Sequence, residues 1–412
     1  MKKRKDTRGV TSESPPDSIW TFLLIVGLAL ALCALLKVPT LFYPGDEMDE
    51  QIYWQLAENL ARGGPYSLQG TELLSHLSPG IYNHPLFHYP PLFPALLVPF
   101  VMLGAKSAAV MVSWLGHLLA VLAVALVGRH LLRGRPDAAR GLTQPVFWLP
   151  LLAVCADPLL MFVSRKLWTD SLLSGLVALS VAVFLIADGK RRVLLLVSGG
   201  LLGLAALAKL TALLVVPVYV VALIRRDVSW RSRLGSVVAA VVPIGMLVVP
   251  WCVLFYLRCG VFVPSWVKPD AWLIEHNSFV SEFVNRPWYY YALKLPLVMP
   301  LLVVVAWAYA RDKLAWLDWR VRVAAAWFAV ILVAMTMMSV GGYGFQMRQV
   351  APAVTAVYIL AACLLAQGDR PVFVMASAFT ILLGTVTGAL FLSLPKFDEI
   401  VSLAEVARFI QF

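Results

Sequence analysis

Charge is the scarcest feature of this chain. Asp, Glu, Lys and Arg make up 14% of its 412 residues, against roughly 25% in a soluble domain, while 60% are hydrophobic and the mean hydropathy is +0.81. That excludes a soluble globular protein and leaves a polytopic membrane protein. Acid is scarcer than base, with 23 carboxylates against 34 Lys and Arg and a net charge of +11. The basic residues are confined to short loops between apolar runs, a pattern of membrane topology, so no nucleic-acid partner is expected. Cysteine is sparse too. Cys33, Cys155, Cys252, Cys259 and Cys363 fall mostly inside apolar runs and lack the paired spacing of a metal site. No small-x-small cleavage site follows the first apolar segment, which is expected to stay as an uncleaved helix. Neither an internal repeat nor a large soluble domain is visible.

What is present is a series of apolar runs. Spans are expected near residues 19 to 38, 106 to 128, 144 to 162, 171 to 187, 235 to 257, 291 to 310, 321 to 340, 350 to 366 and 371 to 393. The run from Val193 to Ile224 has basic clusters at both ends, Lys190-Arg191-Arg192 and Arg225-Arg226. Both ends should be cytoplasmic, so two short helices turning near Lys209 are expected. Pro90 to Leu103, with prolines at 90, 91, 94 and 99, suits a re-entrant or interfacial segment. Eleven spans result, with the N-terminus inside, and the cytoplasmic segments then hold 21 of the 34 Lys and Arg. The chain divides into a basic cytoplasmic tail (1–18), a transmembrane module (19–394) whose first extracytoplasmic loop is 39–105, and a short outer tail (395–412). The short tail without a soluble domain points to a bacterial plasma membrane.

Four of the five residues Asp46-Glu47-Met48-Asp49-Glu50 are acidic, and this topology puts them at the outer membrane surface. From Asp46 to Arg62 the pattern fits an amphipathic helix, with Met48, Ile52, Leu56 and Leu60 as an apolar row and Gly63-Gly64-Pro65 as its end. Asp46, Asp49 and Glu50 then share a face, and their like charges call for a cation. Two readings stay open: helix capping by Asp46 or Asp49, or a divalent-metal or general-base site.

The run Asp49-Glu50-Gln51-Ile52-Tyr53, continuing to Leu60 and Gly63-Gly64-Pro65-Tyr66-Ser67, resembles the first-loop pattern of GT-C superfamily membrane glycosyltransferases. The likeness is to the branch of protein O-mannosyltransferases and lipid A aminoarabinose transferases. Phe87-His88-Tyr89-Pro90-Pro91-Leu92, Trp168-Thr169-Asp170-Ser171, Gly203 to Thr211 and Arg348 to Pro352 resemble later motifs of the same families, in order. The resemblance implies an all-α GT-C fold and transfer of a sugar from a polyprenyl-phosphate donor on the outer face, with inversion at the sugar carbon. It implies Asp49 as the essential carboxylate and Asp170 as a second, with Glu50 and Asp46 beside them. Two departures stand out: His88-Tyr89 replaces a Glu-Lys pair, and Met111 stands where an Arg is usual.

Lys209, Arg348, Arg165 and Lys166 all fall at outward helix ends, where they either bind a lipid phosphate or snorkel at the interface. Lys209 interrupts a long uncharged run, which favours the phosphate. Tyr53 and Tyr89 are further candidates for the substrate. His88 and Asp49 are candidate ligands for a divalent metal (Mg, Mn or Zn), or His88 is an interfacial histidine bonded to a neighbour. Expected partners are the polyprenyl-phosphate-linked donor, membrane lipids and an acceptor of unspecified kind. The rival reading is a transporter or lipid flippase, since intramembrane charge and broken helices also mark substrate paths.

Overall fold

The computed structural model describes residues 19–42, 47–77, 82–133, 142, 144–224, 229–260, 275, 284–311, 317–367 and 371–393. The basic tail 1–18, Asp46, Arg225-Arg226 and the tail 395–412 lie outside the described residues. Every regular element described is helical. Helix α1 (Ile19–Leu35) is followed by α2 (Met48–Ala61) and α3 (Leu92–Met102), the latter too short to span. The central helices are α4 (Met111–Leu132), α5 (Pro145–Cys155), α6 (Pro158–Ser164) and α7 (Thr169–Ala187). Then come α8 (Arg192–Ala208), α9 (Val216–Ile224), α10 (Trp230–Cys259), α11 (Tyr290–Val298), α12 (Pro300–Arg311), α13 (Trp319–Met338), α14 (Ala351–Ala366) and α15 (Pro371–Ser393).

Six described helical stretches are long and apolar enough to cross a membrane, and two bent pairs raise the number to eight. The pairs are α5 with α6, bent by 43°, and α11 with α12, bent by 105°. Pro158 and Pro300 open the second helix of each pair, where a missing N–H costs nothing. Arg192–Ala208 and Leu210–Ile224 are shorter apolar helices, the expected short pair, and the expected total of eleven spans is not confirmed by these lengths. The break between the two falls at Lys209, whose extended backbone (φ −159°, ψ 126°) ends α8 ahead of a 3₁₀ turn over Leu210–Val215.

Helix α2 begins later than the sequence pattern suggests, because the Glu50 carboxylate accepts the backbone N–H of Glu47 at 3.2 Å and closes the first turn there. Its apolar row is only partly used. Ile52 and Leu56 are buried against Tyr66, Phe87 and Trp251, whereas Met48 is exposed.

Small residues set the closest helix crossing. A Cβ on Gly116 of α4 would stand 2.1 Å from the Ser171 carbonyl oxygen, and one on Gly175 of α7 would stand 1.9 Å from that of Gly116. The two backbones are in direct contact. Ser171 Oγ also donates to the Ser113 carbonyl at 2.6 Å, so α4 fixes the first turn of α7, which carries Asp170. Charge is buried inside the bundle as well, and satisfied there. Lys37 Nζ lies 2.7 Å from His117 Nδ1, while His117 Nε2 meets the Val154 carbonyl at 2.7 Å. Asp157 accepts the Leu160 N–H at 2.6 Å to cap α6 and receives the Tyr358 hydroxyl.

Gly116→Ala and Gly175→Ala should each cost on the order of 1–3 kcal/mol of stability by forcing α4 and α7 apart. Thermal unfolding in detergent measures this, and an unchanged melting temperature would contradict it.

Candidate functional site

Three chain segments bring opposite charges to one place. The first turn of α2 supplies Glu47, Asp49 and Glu50; the turn 165–170 before and into α7 supplies Lys166 and Asp170; the loop before α14 supplies Arg348. Lys209 joins them from the break after α8. Arg348 Nη1 lies 2.5 Å from Asp49 Oδ2, and Lys209 Nζ lies 2.8 Å from Asp170 Oδ1. The expected pair of carboxylates thus meets the expected pair of cations, one to one. The Asp170 side chain is 4% exposed and that of Asp49 33%, so Asp49 is the more accessible acid.

Tyr89 faces this group of charges. Desolvation pushes its phenol up, Lys209 and Arg348 pull it down, and Asp49 and Asp170 raise it again, so it senses all four. Tyr53 stacks on Tyr89 with ring centroids 6.2 Å apart, and its hydroxyl lies 3.5 Å from Thr169 Oγ1. Both tyrosines therefore stand between α2, α3 and the start of α7.

Other candidates have different positions. The Glu50 carboxylate is 4% exposed and accepts the Leu167 N–H at 2.8 Å as well as that of Glu47. It joins α2 to the 165–168 turn and so fixes where Asp49 points. Lys166 pairs with Glu47, and Arg165 lies over the Phe162 ring at 4.8 Å; both are buried. Glu47 in the acidic run and Trp168 in the motif before Asp170 had been given no role of their own. An acidic and an aromatic residue beside matched motif positions were the only signal.

His88 packs between Phe87 and Tyr89, with ring centroids at 4.6 and 4.3 Å, and its Nδ1 is buried without a hydrogen-bond partner among the described residues. Burial, with His84 nearby, lowers its imidazole to about 4 against a weaker opposing pull from Asp49. No three His, Cys, Asp or Glu side chains among the described residues are placed to hold a metal ion together. Asp49 and His88 do not form such a group there, and no chemical step is derived through a metal.

The described residues thus form a helical bundle with two acid–base pairs gathered at one cluster of helix ends. The chain belongs to glycosyltransferase family 87, whose family model matches residues 87–340. Asp170 and Lys209 lie inside that stretch, with Asp49 and Arg348 on either side of it. Among solved structures, the chain is similar to ArnT from Cupriavidus metallidurans bound to undecaprenyl phosphate, at 19% identity and a TM-score of 0.61, covering 90% of this chain and 65% of ArnT. It is also similar to the oligosaccharyltransferase AglB from Archaeoglobus fulgidus in complex with an inhibitory peptide and a dolichol-phosphate, at 13% identity and a TM-score of 0.51, covering 93% of this chain and 56% of AglB. The chain thus spans less than two thirds of these relatives' lengths. No curated protein matches it in sequence.

Two predictions come from the geometry. Lys209→Met leaves the Asp170 carboxylate buried without its cation and should cost about 3–5 kcal/mol. Adding Asp170→Asn should recover part of that stability in thermal unfolding, but no activity. For His88, the unfolded chain binds a proton between pH 6.5 and 4 while the folded chain does not. Stability should be intact above pH 6.5 and fall by roughly 3 kcal/mol as pH drops through that window. His88→Asn should flatten the slope; parallel melting profiles of variant and wild type from pH 7 to 4 would contradict it.

Proposed function

We propose that the protein transfers a sugar from a polyprenyl-phosphate donor to an acceptor on the outer face of the membrane. The observation that carries this reading is the two ion pairs, Asp49 with Arg348 and Asp170 with Lys209, drawn together by segments far apart in sequence. The undecaprenyl phosphate of ArnT and the dolichol-phosphate of AglB support the same class of lipid. The outer-face assignment rests on the charge distribution, which puts these helix ends opposite the basic loops.

The isoprenoid tail lies beside the spans, and its phosphate meets Lys209 and Arg348, two cations that stabilise negative charge as it develops. An acceptor hydroxyl attacks the anomeric carbon as the bond from that carbon to the phosphate oxygen breaks. The bonding electrons leave with the phosphate, the acceptor proton passes to Asp49, and the configuration inverts. Asp170 is held by Lys209 at the side of the reacting centre. Where the acceptor is itself an ionised phosphate, no base is needed and Asp49 orients it instead.

Asp49→Asn keeps the shape and removes the base. Transfer from polyprenyl-phosphate sugars in membranes should drop about 10²- to 10⁴-fold at unchanged expression. Near-normal transfer by this variant would refute the assignment.

A further inference from the structure

Trp168 precedes Asp170 by two residues, caps the start of α7 and is 3% exposed. Two cations lie over its ring, Arg348 Cζ at 4.6 Å and Lys166 Nζ at 4.9 Å from the centroid. Phe162 meets the same ring edge-on, at 5.4 Å and 70°. Ser113 Oγ donates to the Trp168 carbonyl at 3.3 Å, which ties its backbone to α4. Both cations pair with carboxylates of the α2 start, Arg348 with Asp49 and Lys166 with Glu47. One indole therefore lies beneath both ionic links between α2 and the bundle.

The type of contact matters. An arginine held only by a carboxylate loses its anchor when an incoming phosphate competes for the same N–H groups. An aromatic face attracts the flat side of the guanidinium, uses none of its five in-plane N–H groups and leaves its charge intact. In this site Nε–H goes to Gln346 Oε1 at 2.7 Å and Nη1 to Asp49, which among the described residues leaves the rest of the fork for an anion. The indole N–H itself is buried without an acceptor among the described residues, so the ring acts there through its face.

We infer that Trp168 is a positioning residue that holds Arg348 in place when a lipid phosphate loosens its contact with Asp49. This rests on the phosphate reading of Arg348 given above. Trp168 does not touch the reacting atoms; it acts through the guanidinium. The consequence is a site whose phosphate affinity depends on the electron density of one ring.

The test measures binding of radiolabelled undecaprenyl phosphate to the purified protein, with thermal unfolding in parallel. Trp168→Leu should weaken binding about tenfold and Trp168→Phe by less than about threefold. Because Trp168→Leu also changes packing, fluorinated tryptophans placed at position 168 by nonsense suppression supply a shape-preserving series. Affinity should fall with each added fluorine while the melting temperature stays level. A flat series with intact wild-type binding overturns the role of Trp168 alone. Absence of binding by the folded wild type overturns the phosphate reading as well.

Discussion

Neither Asp170 nor Lys209 is tolerable alone where it sits. A desolvated carboxylate with 4% of its side chain exposed, or an ammonium in the same place, carries a penalty of several kcal/mol unless the other lies within contact distance. Their pairing forces the chain to interrupt an otherwise apolar hairpin at Lys209 and to bring that interruption against the first turn of α7. The second pair, Asp49 with Arg348, then needs α2 and the loop before α14 to approach the same point. Much of the architecture at this end of the bundle follows from satisfying these four charges. The Glu50 carboxylate on the Leu167 N–H and the Lys166 pair with Glu47 fasten α2 where that approach requires.

The parts that were legible in the sequence were those where charge interrupts apolarity. Lys209 stood out as a single cation in a long uncharged run, and the helix does break there. Asp49 and Asp170 were separated from other acids by family spacing, and each is found opposite one of the expected cations. The amphipathic row of α2 located its buried side, although the helix starts late because a side-chain contact, invisible to periodicity, closes its first turn.

Other features depend on three-dimensional proximity. The bends before Pro158 and Pro300 fall at only two residues, Ala156-Asp157, and one, Met299, within long apolar runs, so hydropathy reads each pair as one straight span. Trp168 was visible only as the first residue of the motif around Asp170, and its role depends on Arg348, 180 positions later, lying over its ring. The buried group of Lys37, His117, Asp157 and Tyr358 escaped notice for the same reason: each member is unremarkable along the chain, and only the bundle brings them together.

The contact between Gly116 and Gly175 leaves no room for sliding, so α4 and α7 form one rigid unit with Asp170 at its end and Lys209 clamped to it. Arg348 has a different footing. Its segment follows Gly342 and Gly344, at φ of 98° and 82°, and is pinned by Ser339 Oγ donating to the Gly344 carbonyl at 2.8 Å, Arg286 to the Phe345 carbonyl at 2.8 Å and the Tyr291 hydroxyl to the Gln346 carbonyl at 3.2 Å. The site therefore lies between two separately braced walls, one at the start of α7 and one at the turn before α14. Of the two ion pairs, the one that includes Asp49 is the more open to solvent, so a molecule entering from that side meets it before it meets Asp170.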